Sequence, residues 1–325
     1  MSGASSSPPD RGRERFKMHL SPTQAKVVAM SGGDASPARR TAGSPAAVPV
    51  ILGVPVIAWQ AVFFAAPLVF LVVVTFWTVR SFKLQPAFSF DNWQKVLSST
   101  PFQRALVYTA EVSALCAALT LVVALPVAYT IAYRLSRRLR DLAVAALVVP
   151  VFSSYLLRIY AWQIVLSPGG IVNSLTRLVF GIELPLLGGQ FSLQIGLLTA
   201  TLPVAVLILV LAFSGVDRAL IEAAANLGCR RVRIIWHVLL PSIRNAVLLA
   251  ASTAFLMSFG DYISPVFLTG SKPPTLSILI VDTVKSGSQW PRASVIGVSM
   301  LAILVVVLLA LNWLGRERRG RKGAR

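Results

Sequence analysis

The stretch DRALIEAAANLGCRRVRIIWHVLLP, Asp217 to Pro241, decides how the rest of the chain is read. It carries two acidic and four basic residues, Asp217, Glu222, Arg218, Arg230, Arg231 and Arg233, and long apolar runs flank it on both sides. After the N-terminal tail it is the longest segment that cannot lie in a bilayer, where each charge at the centre costs about 2.5–3.5 kcal/mol. Its own pattern is helical. Asp217 is placed to cap a helix N-terminus, and Ile221, Ala224, Ala225 and Gly228 recur at helical spacing. Gly228 can turn the chain out of that helix through the left-handed region. A second amphipathic run from Val232 to Leu240 is expected to stop at Pro241. The stretch is therefore predicted to be a bent pair of short helices projecting from a membrane protein.

The bulk composition agrees. Of 325 residues, 55% are hydrophobic and 13% charged, against roughly 45–50% and about 25% in soluble domains. The net charge of +19 does not point to nucleic acid, because its basic residues fall between apolar runs and not on one face with stacking aromatics. Residues 1–48 are rich in Ser, Pro, Gly, Ala and Arg and have no apolar period, which predicts a disordered basic tail. The apolar run that follows is too long for a signal peptide and reads as an anchor.

Runs long enough to span occur at about 50–79, 105–133, 142–166, 193–213, 243–268 and 294–314, each near or above the ~20 residues a helix needs. Six spans with both termini in the cytoplasm put 1–49, 134–141, 214–242 and 315–325 inside, and of these the loop Arg134 to Arg140 and the tail Arg316 to Lys322 are densely basic. The segments 80–104, 167–192 and 269–293 fall outside and hold Asp91, Glu183 and Asp282. That asymmetry follows the positive-inside rule. In the second outer segment, Ile171 to Gly181 is a short amphipathic helix candidate between the breakers Ser167-Pro-Gly-Gly170 and Leu187-Gly-Gly189. The predicted organisation is a tail at 1–48, a first span and outer loop at 49–104, a core at 105–314 with the loop 217–241, and a basic tail at 315–325.

No catalytic set is legible. The chain lacks a phosphate-binding Gly-x-x-x-x-Gly-Lys-Ser/Thr loop, His-Glu-x-x-His and Cys-x-x-Cys, and a Gly-x-Ser-x-Gly elbow. His19 and His237 have no metal-ligand spacing around them, and no metal is expected. An enzyme is disfavoured, and any pumping must draw on a partner or an ion gradient. Three ionisable residues lie in or near spans. Glu111 and Arg158 are expected in the outer parts of theirs, either tied to each other between helices or lining a path. Asp261 lies deeper, in Ser258-Phe-Gly-Asp-Tyr-Ile-Ser-Pro265, where Gly260 and Pro265 loosen the helix beside a water-filled cavity. Asp261, Glu111, Arg158 and Tyr262 are the candidates for a translocation path.

Glu222-Ala223-Ala224, three residues, Gly228, then twelve residues to Pro241 behind Leu239-Leu240 resembles the EAA loop of permease subunits in ATP-binding-cassette importers. It stands where that loop stands, between the fourth and fifth of six spans, and residues 105–314 look like the type I importer fold with an extra first span. Ser154-Tyr-Leu-Leu-Arg-Ile-Tyr-Ala-Trp-Gln163, Asn173-Ser174 and Phe255 to Pro265 look like the spermidine/putrescine permease group, which also includes importers of other small organic solutes. The tail 1–48 and Cys229-Arg-Arg231 depart from the usual pattern.

The resemblance implies an all-α, six-span, multi-pass inner-membrane subunit that does no chemistry itself. Glu222, Ala223, Ala224, Gly228 and Pro241 would seat on an ATPase dimer that holds ATP and Mg, leaving this chain without a cofactor. A second permease subunit, implied to be a paralogue, would complete the pore. A periplasmic or lipid-anchored binding protein would deliver the solute. Polyamine is the expected cargo, with an opine, amino-acid-like or phosphonate solute as the alternative. A stand-alone secondary transporter is disfavoured by the motif and by the lack of inverted repeats.

Overall fold

The computed structural model describes residues 55–80 and 83–320; the predicted tail at 1–48 lies outside them. The chain divides into two units, 1–61 and 62–325. Of the first, residues 55–61 are described, helical with exposed side chains.

Helix α1, Pro55–Val74, includes a π-helical turn at Ala61–Ala65. It ends earlier than the apolar run 50–79 suggests. Thr75 folds its hydroxyl onto the Val72 carbonyl at 2.6 Å, and Asn92 donates to the Thr75 and Trp77 carbonyls at 2.9 and 2.8 Å. These bonds satisfy carbonyls that a helix end leaves open. Asn92 sits on the short helix α2, Asp91–Leu97. Between the two helices lies a small antiparallel hairpin, β1 (Thr78–Arg80) and β2 (Lys83–Gln85), in register Thr78 to Gln85.

The core is three long helices. α3 is Thr100–Tyr133, α7 is Gln190–Ser214 and α10 is Arg244–Phe259. At 1.5 Å per residue, α3 is about 50 Å long and outreaches a ~30 Å hydrocarbon layer. α3 and α7 run parallel and are tied at three levels. Gln194 donates to the Val112 carbonyl at 3.1 Å, Thr120 and Thr201 share a buried hydroxyl bond at 2.8 Å, and Tyr133 donates to the Phe213 carbonyl at 2.8 Å. Apolar residues fill the space between the ties, with Cys116, Ala124, Ala128 and Leu209 fully buried. The small side chains on α3 admit close approach, and the hydroxyls act as polar glue, the usual economy of helix pairs in lipid. At the far end Phe102, Phe259, Leu276 and Val295 close the core.

Two expected spans are broken. The run 142–166 is two helices, α4 (Arg137–Phe152) and α5 (Tyr155–Leu166), with α6 (Ile171–Phe180) following as the predicted amphipathic helix. The bend between α4 and the α5–α6 stretch is 95°. Extended backbone at Ser153 makes it, and the Ser153 hydroxyl caps the Pro150 carbonyl at 3.0 Å. The run 243–268 divides into α10 and α11, Ile263–Thr269. Pro265 falls in the first turn of α11, where a missing N–H costs no hydrogen bond, so it helps start a helix where a loosened one was expected.

Helices α8 (Arg218–Asn226) and α9 follow α7. α9 is built from Arg231–Ile234, a π turn at Ile235–Leu239 and Leu240–Ser242. The predicted stop at Pro241 is displaced to Ile243, where α9 meets α10 at 73°. The π turn accounts for the shift: Leu240 N–H bonds back to Ile235, and the widened ladder gives the proline ring room it lacks in a regular α-helix. α12 (Leu276–Lys285) and α13 (Trp290–Gly320) complete the chain. α13 continues as helix through 315–320, part of the expected basic tail. Among the described residues four helices are long and apolar enough to cross a membrane, or up to six if each bent pair is one span.

Candidate functional site

Two sites stand at different levels of the bundle. The first is the hairpin α8–α9. Asp217 accepts from the Ala219 amide at 2.9 Å and caps α8, as its position predicts. The helix closes at Gly228, which has φ +77°. Gly228 N–H bonds the Ala225 carbonyl at 2.9 Å and Cys229 N–H bonds the Ala224 carbonyl at 3.1 Å. This pair of bonds around a left-handed glycine is a Schellman closure. Ile221 and Ala224 turn inward, while Glu222, Ala223 and Ala225 are exposed. Behind them a cavity of 380 Å³ is lined by Tyr129, Tyr133, Ile221, Ile235 and Leu239.

The hairpin exposes three large apolar side chains among its exposed charged residues Arg218, Glu222, Arg230 and Arg233. Leu227 is 84% exposed, Val232 66% and Trp236 63%. These three were not singled out from the sequence. Their signal was present in the clustering of large apolar side chains in a charged loop. Glu222 forms no ion pair among the described residues.

The second site is a cavity of 350 Å³ where the two broken spans meet α7. Val151 and Ser153 from the end of α4, Tyr155 and Arg158 from α5, and Asp261 from the α10–α11 break line it. Asp261 takes the free amides of α11: Ile263 N–H donates to Oδ1 at 3.0 Å and Ser264 N–H to Oδ2 at 3.3 Å. Tyr155 donates its hydroxyl to the same Oδ2 at 2.7 Å, and the Ser264 hydroxyl bonds Tyr155 in turn. Gly196 on α7 lets this assembly pack. A Cβ there would stand 2.5 Å from Leu268 and 2.9 Å from the Ser264 hydroxyl.

Arg158 lies at the other end of the same tyrosine, its guanidinium carbon 5.6 Å from the Tyr155 ring centre. Its Nη1 donates to the Thr199 carbonyl at 2.8 Å, and its Nε is buried without a partner. The expected tie to Glu111 is absent: no ion pair joins them among the described residues. Glu111 is exposed on α3, and Arg158 has turned to a backbone carbonyl on α7. Of the four path candidates, Asp261 and Arg158 share the cavity; Tyr262, 36% exposed, borders the break, and neither it nor Glu111 lines the cavity. Tyr155 and Ser264 were missed as partners of Asp261 because they depend on which helices meet at the breaks. Among the described residues no three His, Cys, Asp or Glu side chains gather as a metal site.

A multi-helix membrane bundle with two broken spans and a capped helical hairpin is the architecture of a transport permease. The chain belongs to the family described as "Binding-protein-dependent transport system inner membrane component", which it matches over residues 121–320, more than half its length. It is a permease subunit of an ATP-binding-cassette importer, a multi-pass protein of the inner membrane. Its relatives include the spermidine/putrescine transport system permease protein PotB of Salmonella typhimurium (strain SL1344), 23% identical over 264 residues, 80% of this chain and 91% of that protein. PotC of Escherichia coli (strain K12) is 27% identical over 161 residues, 49% of this chain and 60% of that one. Among solved structures, a bacterial importer of the acidic polysaccharide alginate matches with TM-score 0.69 and 20% identity over 83% of this chain and 95% of that chain. The same kind of importer in complex with an alginate pentasaccharide-bound periplasmic protein matches with TM-score 0.70 and 19% identity, over 83% and 94%. At that identity the structures establish the fold alone.

Proposed function

We propose that this chain forms one half of a solute path, closed by a second permease subunit, and that an ATPase dimer drives it through α8–α9 from the cytoplasmic side. The observation that carries this is the hairpin. Glu222, Ala223 and Ala224, the left-handed Gly228 and Pro241 fall in a capped, rigidly closed helix pair whose outer surface exposes Leu227, Val232 and Trp236. Exposed apolar groups of that size beside a small-residue helix face suit burial in a partner's groove. ATP and Mg would be held by the ATPase, and a binding protein would deliver solute at the opposite face. ATP binding would draw the two hairpins together, and hydrolysis would reset the bundle.

The cargo on this reading is a small organic amine. The relatives named for spermidine and putrescine make polyamine the first candidate, and the Asp261 carboxylate in the cavity suits a cation. One observation favours the second reading, an amino-acid-like solute: the cavity's carboxylate, Asp261, already accepts three hydrogen bonds, while the Nε of the arginine beside it is buried without a partner.

The test is Glu222→Lys in the full chain, expressed with its ATPase, second permease and binding protein. Uptake should be lost while membrane insertion and thermal unfolding stay unchanged, as expected for an exposed residue within about 0.5 kcal/mol. Normal uptake would remove the docking role of Glu222.

A further inference from the structure

Arginine presents five N–H donors in a fixed fork. In the 350 Å³ cavity, Arg158 has one hydrogen bond, from Nη1 to the Thr199 carbonyl, and its buried Nε has no partner. The Tyr155 ring supports the guanidinium at 5.6 Å and supplies no acceptor in its plane. Arg158 is half-buried, and a donor held out of water without an acceptor is costly unless something fills it. The nearby carboxylate does not: Asp261 is committed to Tyr155, Ile263 and Ser264, and no ion pair joins it to Arg158. The cavity thus holds one positive and one negative group at the two ends of Tyr155, each with its face to the same space.

We propose that Arg158 binds an acid group of the solute, so that the cargo is a small zwitterion, an amine carrying a carboxylate or phosphonate, with its ammonium towards Asp261. This rests on the importer reading above and narrows its cargo. A guanidinium fork pairs with a planar carboxylate through two parallel hydrogen bonds, which a second ammonium cannot offer. A plain diamine placed here meets attraction from Asp261 and repulsion from Arg158 over the same short distance. A solute with opposite charges at its ends meets attraction at both.

The test compares two probes of like length, putrescine and 4-aminobutyrate, on the assembled importer without its binding protein, so that the permease cavity alone is read. The readout is the shift in thermal unfolding at millimolar probe. 4-Aminobutyrate should stabilise the wild-type complex more than putrescine does. Arg158→Gln should weaken 4-aminobutyrate at least ~10-fold and leave or improve putrescine. Arg158→Lys, which keeps the charge and loses the fork, should fall between. The proposal is overturned if putrescine stabilises the wild type as well as 4-aminobutyrate does, if neither probe shifts it, or if Arg158→Gln leaves 4-aminobutyrate unaffected. It is also overturned if Arg158→Gln releases the second permease subunit, since Arg158 would then be paired with a carboxylate of that partner. Failure of the importer reading shows separately, as absence of binding-protein-stimulated ATP hydrolysis by the wild-type complex.

Discussion

Replacing Gly228 separates conformation from space in the hairpin. The residue has φ +77°, and a Cβ built there meets nothing within 4 Å. Any cost of substitution is therefore carried by the backbone. For an L residue the left-handed region costs roughly 1–2 kcal/mol, which lowers the closed form about 5- to 30-fold relative to its alternatives. Asparagine visits that region more cheaply, so Gly228→Asn should lose little. Gly228→Ala should show the full cost. Gly228→Pro is worse on two counts: the ring holds φ near −65°, and the N–H that bonds Ala225 at 2.9 Å is gone, so the penalty is about 3 kcal/mol or more. Uptake per molecule of inserted protein, with insertion scored by quantitative immunoblot of membranes, should rank glycine and asparagine together, then alanine, then proline. Equal uptake by the asparagine and proline variants would refute the idea that this closure sets the coupling surface.

Two further substitutions probe the cavity. Asp261→Ala leaves the Tyr155 hydroxyl and the Ile263 and Ser264 amides without their acceptor. It should cost about 1–3 kcal/mol in a denaturation assay, whereas Asp261→Asn keeps an acceptor and the shape and should lose transport of an amine more than it loses stability, with Asp261→Glu less impaired in transport. Gly196→Ala puts a methyl against Leu268 and Ser264 and should destabilise by about 1–3 kcal/mol as overpacking does, read as a lower unfolding temperature; an unchanged temperature would mean that α5 and α11 are not held against α7 at that point.

Local signals in the sequence translated directly into structure. The Asp217 cap, the Gly228 turn and the amphipathic helix at 171–180 each depend on a few adjacent residues, and each is present. Apolar length located the spans, and Gly260 and Pro265 marked the loosening beside Asp261, but the break at Ser153 was not read, since hydropathy is blind to whether a helix stays straight. The break at Ser153 needs an extended serine after Pro150, and the one at Gly260–Tyr262 needs Asp261 to cap the following helix. The Glu111–Arg158 tie failed for a related reason. Depth along a span is legible from sequence, but the direction each helix faces is set by packing, which turned Glu111 outward and Arg158 to the Thr199 carbonyl.

The two sites are joined through the packed pair α3 and α7. Tyr129, Tyr133 and Phe213 cluster edge to face where α3 and α7 end, and Ile221, Ile235 and Leu239 of the hairpin pack on the same core. From there α3 and α7 are bonded at three levels up to Gln194. At the cavity level the chain has its two breaks, and a break is where a hinge is cheap because few φ/ψ angles absorb the motion. On the proposed reading, the ATPase displaces the hairpin, the α3–α7 pair carries that displacement, and α5 and α11 turn at Ser153 and Gly260. The Tyr155–Asp261 bond links one break to the other, so the two hinges cannot turn independently while it holds. A solute that draws on Asp261 competes with Tyr155 for the same oxygen. On the proposed reading its arrival is felt at both breaks through the Tyr155–Asp261 bond.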